Sequence, residues 1–136
     1  MPELPAIAPL VSPETKQFWD ATAEGKLLVP KCGDCGNYFW YPRGICPECH
    51  GNNIEWPEAS GRGTIYTFSI MRRGMGPYAN SAPYVLAYVT LEEGPTMLTN
   101  VVTEEPDTLK IGDPVTVVFH DTGEGNAIPR FVPAGS

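Results

Sequence analysis

Two tight turns decide the reading of this sequence: Cys32-Gly33-Asp34-Cys35 and Cys46-Pro47-Glu48-Cys49, with ten residues between them. Each C-x-x-C turn aims two sulfurs at one point, and backbone N–H groups within the turn can donate to those sulfurs. Together they supply the closed tetrahedral thiolate set of a structural zinc site, with no position left for substrate. Gly33 and Gly36 suit the tight backbone. Four thiolates around a divalent cation carry a charge of about −2, which Lys31 and Arg43 are placed to offset. The expected cofactor is therefore one structural Zn2+, held by Cys32, Cys35, Cys46 and Cys49.

Other readings of the cysteines are weaker. An iron site of the rubredoxin kind uses similar turns with a much longer separation. A redox C-x-x-C needs one pair on a βαβ background, which the sequence lacks. His50 follows the last cysteine, but with four thiolates available it reads as a surface residue. All four cysteines fall in an 18-residue window, the pattern of metal binding in a reducing compartment rather than of a disulfide framework. The start MPELPAIAPLV has no basic stretch and three prolines, and no run of about 20 apolar residues offers a membrane span. A soluble, cytoplasmic protein is expected. The net charge of −7 disfavours nucleic acid and anionic membrane as partners.

Outward from the cysteines the chain divides into residues 1–25, an extended N-terminus and helix; 26–58, the zinc ribbon; and 59–136, a strand-rich domain. Ser12-Pro13-Glu14 reads as a helix start, with a side-chain cap, proline at the first helical position and an acid in the first turn; Gly25 reads as its stop. Thr15, Phe18, Trp19, Thr22 and Ala23 share one helical face. Two destinations are open for it: the chain's own core, or a partner surface with Phe18 and Trp19 as anchors. Tyr38-Phe39-Trp40-Tyr41, between the cysteine turns, reads as packing for a module with little core of its own.

Past Gly61 the pattern becomes one of short strands. Tyr66, Phe68 and Ile70 alternate with Ile65, Thr67 and Ser69; Val85, Ala87, Val89 and Leu91 line one face of a second strand. Met97–Val102 is a third, Val115, Val117 and Phe119 mark a fourth, and Ile128–Val132 is a fifth. With 14 glycines and 15 prolines as punctuation, the expected class is mainly β, ending in a five-stranded OB-fold barrel.

No catalytic constellation stands out. His50 and His120 have no serine or cysteine nucleophile beside them, the acids cluster at turns, and no phosphate-binding glycine loop is present. Residues 61–91 carry Arg62, Arg72 and Arg73 and no acid. Arg72 and Arg73 enter the loop Gly74-Met75-Gly76-Pro77-Tyr78, which in an OB-fold borders the ligand face, so they are candidate contacts for a phosphorylated small molecule.

These pieces together resemble the DUF35 family. The resemblance spans about Phe18 to Pro133: Phe18-Trp19, both cysteine turns with Pro42-Arg43 between them, Ser60-Gly61-Arg62-Gly63-Thr64, Pro83-Tyr84-Val85, Leu98-Thr99-Asn100, Ile111-Gly112 and Pro129-Arg130-Phe131. It implies an N-terminal helix, a rubredoxin-like zinc ribbon and an OB-fold. It also implies a non-catalytic accessory or scaffold role beside a thiolase-superfamily enzyme or MaoC-like hydratase, in lipid, sterol side-chain or polyketide-type metabolism. Two alternatives belong to other classes. One is a single-stranded nucleic-acid binder, which the scarcity of basic residues opposes; the other is a stand-alone acyl-CoA binder or hydrolase.

Overall fold

The computed structural model describes residues 4–134. Residues 4–12 form no regular structure, and a turn over residues 13–15 leads into helix α1, Lys16–Thr22. The helix thus starts about one turn after the expected Ser12 cap. Ser12 and Thr15 spend their hydroxyls on each other, and the Thr15 amide donates to the Ser12 carbonyl at 3.1 Å, closing that turn before the helix begins. Its buried face is Thr15, Phe18, Trp19, Ala21 and Thr22, whereas Ala23 is exposed.

That face packs on the chain's own core. Phe18 is 1% exposed and Trp19 7%, in one cluster with Leu27, Val29 and the barrel interior. The reading of Phe18 and Trp19 as partner anchors is corrected accordingly: a seven-residue helix is marginal alone, and here the barrel supplies the apolar surface it needs. Thr22 ties it down. Its hydroxyl donates to the Trp19 carbonyl at 2.6 Å and accepts from the Ala127 amide at 3.0 Å.

The ribbon follows as two short antiparallel strands, β1 (Lys31–Cys32) and β2 (Ile54–Glu55). On the way, the Ala59 amide donates to the Leu27 carbonyl at 2.7 Å and that of Val29 to the Pro57 carbonyl at 3.2 Å, fastening ribbon to barrel. The barrel strands are β3 (Arg62–Met71), β4 (Tyr84–Leu91), β5 (Thr96–Val101), β6 (Pro114–Asp121) and β7 (Ala127–Pro133). They close in the order β3-β4-β5-β7-β6, antiparallel throughout except for the β5–β7 pair. Closure leaves no open edge. Val85, Ala87, Val89 and Leu91 all point inward, as their alternation predicts. Gly63 is required where β3 meets β4, since a Cβ there would lie 2.7 Å from the Thr90 carbonyl oxygen.

The first barrel strand departs from simple alternation. A register shift between Ile65 and Thr67 pairs Ile65 with Val89 and Thr67 with Tyr88. This bulge brings Ile65, Phe68 and Ile70 to the core side and leaves Tyr66 64% exposed, apart from the two residues it alternates with in sequence.

Candidate metal centre

The two cysteine turns are near-copies of one backbone motif. The Gly36 amide donates to the Cys32 carbonyl at 2.8 Å, and that of His50 to the Cys46 carbonyl at 2.9 Å. Gly36 has φ +76° and His50 φ +62°, so the residue after each second cysteine turns left-handed. This is the role of His50: it fills in the second turn the place glycine fills in the first, and its side chain is exposed. Hydrogen bonds to sulfur accompany the turns, from the Cys35 amide to Cys32 Sγ at 3.5 Å and from the Glu48 amide to Cys46 Sγ at 3.4 Å.

All four sulfurs lie within 4.8 Å of one another. Cys32 and Cys49 are 3.5 Å apart, Cys35 and Cys46 3.6 Å. A tetrahedron with zinc–sulfur bonds of about 2.3 Å has edges of about 3.8 Å, while a disulfide needs about 2.05 Å. The donor set therefore fits one four-coordinate ion and not two disulfides. Cys32 and Cys46 are fully buried and Cys35 and Cys49 face outward.

The thiols titrate unevenly. Backbone N–H groups, that of Cys49 foremost, draw Cys46 down to about 7. At Cys49 the Gly51 amide pulls the same way, but the crowding thiols of Cys32, Cys35 and Cys46, with burial, prevail and push it up to about 12. Four thiolates this close repel one another, and a divalent cation at their centre removes the conflict. The flanking cations do other things. Lys31 lies over the Tyr38 ring, 5.4 Å from its centroid, and Arg43 Nε donates to the Tyr41 carbonyl at 3.4 Å. The aromatic run mostly packs inward: Phe39 is buried, Trp40 meets Phe18 edge-on at 5.3 Å, and Tyr41 is left exposed.

The other candidates lie apart from the cysteines. Arg72 and Arg73 are exposed at the end of β3. Arg72 Nη2 donates to Asp107 Oδ1 at 2.7 Å, while Arg73 has no ion pair among the described residues. The sequence reading passed over Arg130 as a site residue. It points out of the barrel yet is 2% exposed, a burial made by chain segments distant in sequence and so without a local signal.

Comparisons with known proteins agree with this architecture. The families described as the ChsH2 rubredoxin-like zinc ribbon domain and the ChsH2 C-terminal OB-fold domain match residues 19–55 and 56–120. A DUF35 domain-containing scaffold protein of Methanothermobacter thermautotrophicus is 40% identical over 113 residues, covering 82% of this chain and 85% of that protein. A probable enoyl-CoA hydratase alpha subunit of Thermomonospora curvata is 29% identical over 93% of this chain, which spans 39% of that subunit's length. Among solved structures, a chain of the Ltp2-ChsH2(DUF35) aldolase superposes with a TM-score of 0.83 at 29% identity, covering 93% of this chain and 99% of that one. A thiolate-lined zinc ribbon, a closed OB barrel and this similarity along most of the chain place the protein in the DUF35 family.

Proposed function

We propose that this protein is a non-catalytic accessory subunit of an acyl-CoA-processing complex, holding an enzyme of thiolase fold or a MaoC-like hydratase in its working assembly. One observation carries the reading: the likeness covers nearly all of a DUF35 chain in an aldolase named jointly for Ltp2 and ChsH2, at a TM-score of 0.83. The names of similar proteins point the same way, one set as scaffold proteins and another as hydratase alpha subunits. The zinc ribbon suits such a role, because four protein ligands make a rigid strut and leave no open coordination position for chemistry. Among the described residues no helix is long and apolar enough to cross a membrane.

Within that complex, Arg72 and Arg73 face the phosphates of the CoA ester. Arg73 has no ion-pair partner among the described residues, and Arg72 would exchange the exposed Asp107 carboxylate for phosphate. The test is co-expression with candidate acyl-CoA enzymes, followed by native mass measurement and CoA-ester titration. A stable hetero-complex is expected, with no turnover by the chain alone. In the complex, Arg72→Ala/Arg73→Ala should bind CoA esters at least about tenfold more weakly at unchanged folding. A chain that stays unassociated beside every such enzyme refutes the accessory role; unchanged affinity in the double variant refutes the arginine contact alone.

A further inference from the structure

On the outer face of the barrel, Arg130 precedes the fully buried Phe131 on β7, so its side chain leaves the barrel on the opposite side. It is nonetheless 2% exposed. Its Nε donates to Asn100 Oδ1 at 3.2 Å and its Nη2 to the Pro5 carbonyl at 2.6 Å. Nη1 lies 2.8 Å from His120 Nδ1. Since arginine stays protonated, Nδ1 accepts, and His120 is the neutral imidazole. The Tyr78 ring stands beside Arg130 in the same recess. Every acceptor is thus neutral, and among the described residues no carboxylate reaches this charge. Burying a cation without a counter-ion is costly, and a fold that needed only to fill this space would do so better with an apolar side chain.

The surroundings form a recess. Ile7, Tyr78, Leu86, Leu98, Asn100 and Arg130 line a cavity of about 250 Å³. Leu86 and Leu98 stand on the outer sides of the paired strands β4 and β5, 39% and 52% exposed, and give it apolar walls. The polar end is held in place from behind. Asn100 Nδ2 donates to the Val85 carbonyl at 2.8 Å, which turns its oxygen toward Arg130, and Tyr78 packs on the Tyr84 ring at 5.2 Å. Apolar walls converging on a few oriented polar groups are the composition of a small-molecule site. The roof is the N-terminal segment, through the Pro5 carbonyl and Ile7.

We propose that this recess binds a small monocarboxylate with a short apolar chain. The carboxylate takes the place of the Pro5 carbonyl at Nη2 and supplies the negative charge that no described residue brings, while Leu86, Leu98 and Ile7 cover the chain. A guanidinium N–H donating to a carboxylate is a charge-assisted hydrogen bond, stronger than one to a carbonyl, and the small volume on a chain of net charge −7 suits one charge rather than a polyanion. The site is separate from Arg72 and Arg73 and does not rest on the accessory role.

The test uses the full zinc-loaded chain and nuclear magnetic resonance titrations with sodium hexanoate, 1-hexanol and inorganic phosphate. Hexanoate should give saturable shifts in the Leu86 and Leu98 methyls and the Ile7 amide. Hexanol and phosphate should bind at least about tenfold more weakly, the worth of one charge-assisted hydrogen bond. Leu98→Trp, at a half-exposed position, should fill the recess and weaken hexanoate by a similar factor. Arg130→Gln should abolish the preference for hexanoate over hexanol. Should that variant fail to fold, the ligand comparison and Leu98→Trp decide. The proposal is overturned by absent saturation with hexanoate, by equal binding of hexanol or phosphate, or by indifference to Leu98→Trp.

Discussion

Truncating Phe18 to alanine tests whether α1 belongs to the core or to a partner. The ring is 1% exposed and meets Trp19 edge-on at 4.9 Å and Trp40 at 5.3 Å. Removing a buried phenylalanine side chain costs about 3–5 kcal/mol. Two edge-to-face contacts, each contributing about 0.5–1.5 kcal/mol beyond area, favour the upper half of that range, so we expect about 4 kcal/mol. An unfolding entropy of about 2.1 cal/mol/K per residue gives the 136-residue chain about 0.29 kcal/mol/K, and the melting temperature should fall by about 14 °C. Scanning calorimetry of the zinc-loaded chain without a partner measures this. Lys16→Ala, at an exposed ion pair, serves as control and should move it by no more than about 2 °C. A fall of less than about 4 °C for Phe18→Ala, with assembly lost, would refute the core assignment and return the helix face to a partner.

Trp19 is expected to behave differently. Its buried indole Nε1 has no hydrogen-bond partner among the described residues, so Trp19→Phe removes an unsatisfied donor along with some volume and should change stability by no more than about 1 kcal/mol; a loss above about 2 kcal/mol in chemical denaturation would contradict that. For the metal, elemental analysis should find one zinc per chain, and Cys46→Ser, which forfeits a binding energy on the order of 10 kcal/mol, should strip the ribbon amides of exchange protection. A well-folded sample holding iron, or no metal, would overturn the zinc assignment. His120 supplies a pH dependence. Burial first, and the Arg130 charge second, hold its pKa below the ordinary 6.5, so the folded chain refuses a proton that the unfolded chain accepts. Its contribution is complete above about pH 6.5 and is lost as the pH falls from there toward the lower folded value. Wild type should therefore lose melting temperature relative to His120→Gln on acidification from about pH 7.5 to about pH 5, and a constant difference would refute the coupling.

The sequence by itself determined the two cysteine turns and the positions of the five strands past Gly61. Each depends on contacts between near neighbours in sequence: a C-x-x-C turn brings its own two sulfurs together, and the alternation of Val85, Ala87, Val89 and Leu91 chooses a face within one strand. The tertiary structure decided what depends on partners far along the chain. The bulge that separates Tyr66 from Phe68 is visible only in the register of β3 against β4. The fate of Phe18 and Trp19 was open until the barrel covered them, because a helical face states that it will be buried and not by what. Arg72 met Asp107, 35 residues away. Arg130 gained its seclusion from Pro5, 125 residues away, and from His120 and Asn100 on neighbouring strands. Local periodicity records which residues leave water; the company a buried charge keeps is set by chain closure, which no short window of sequence contains.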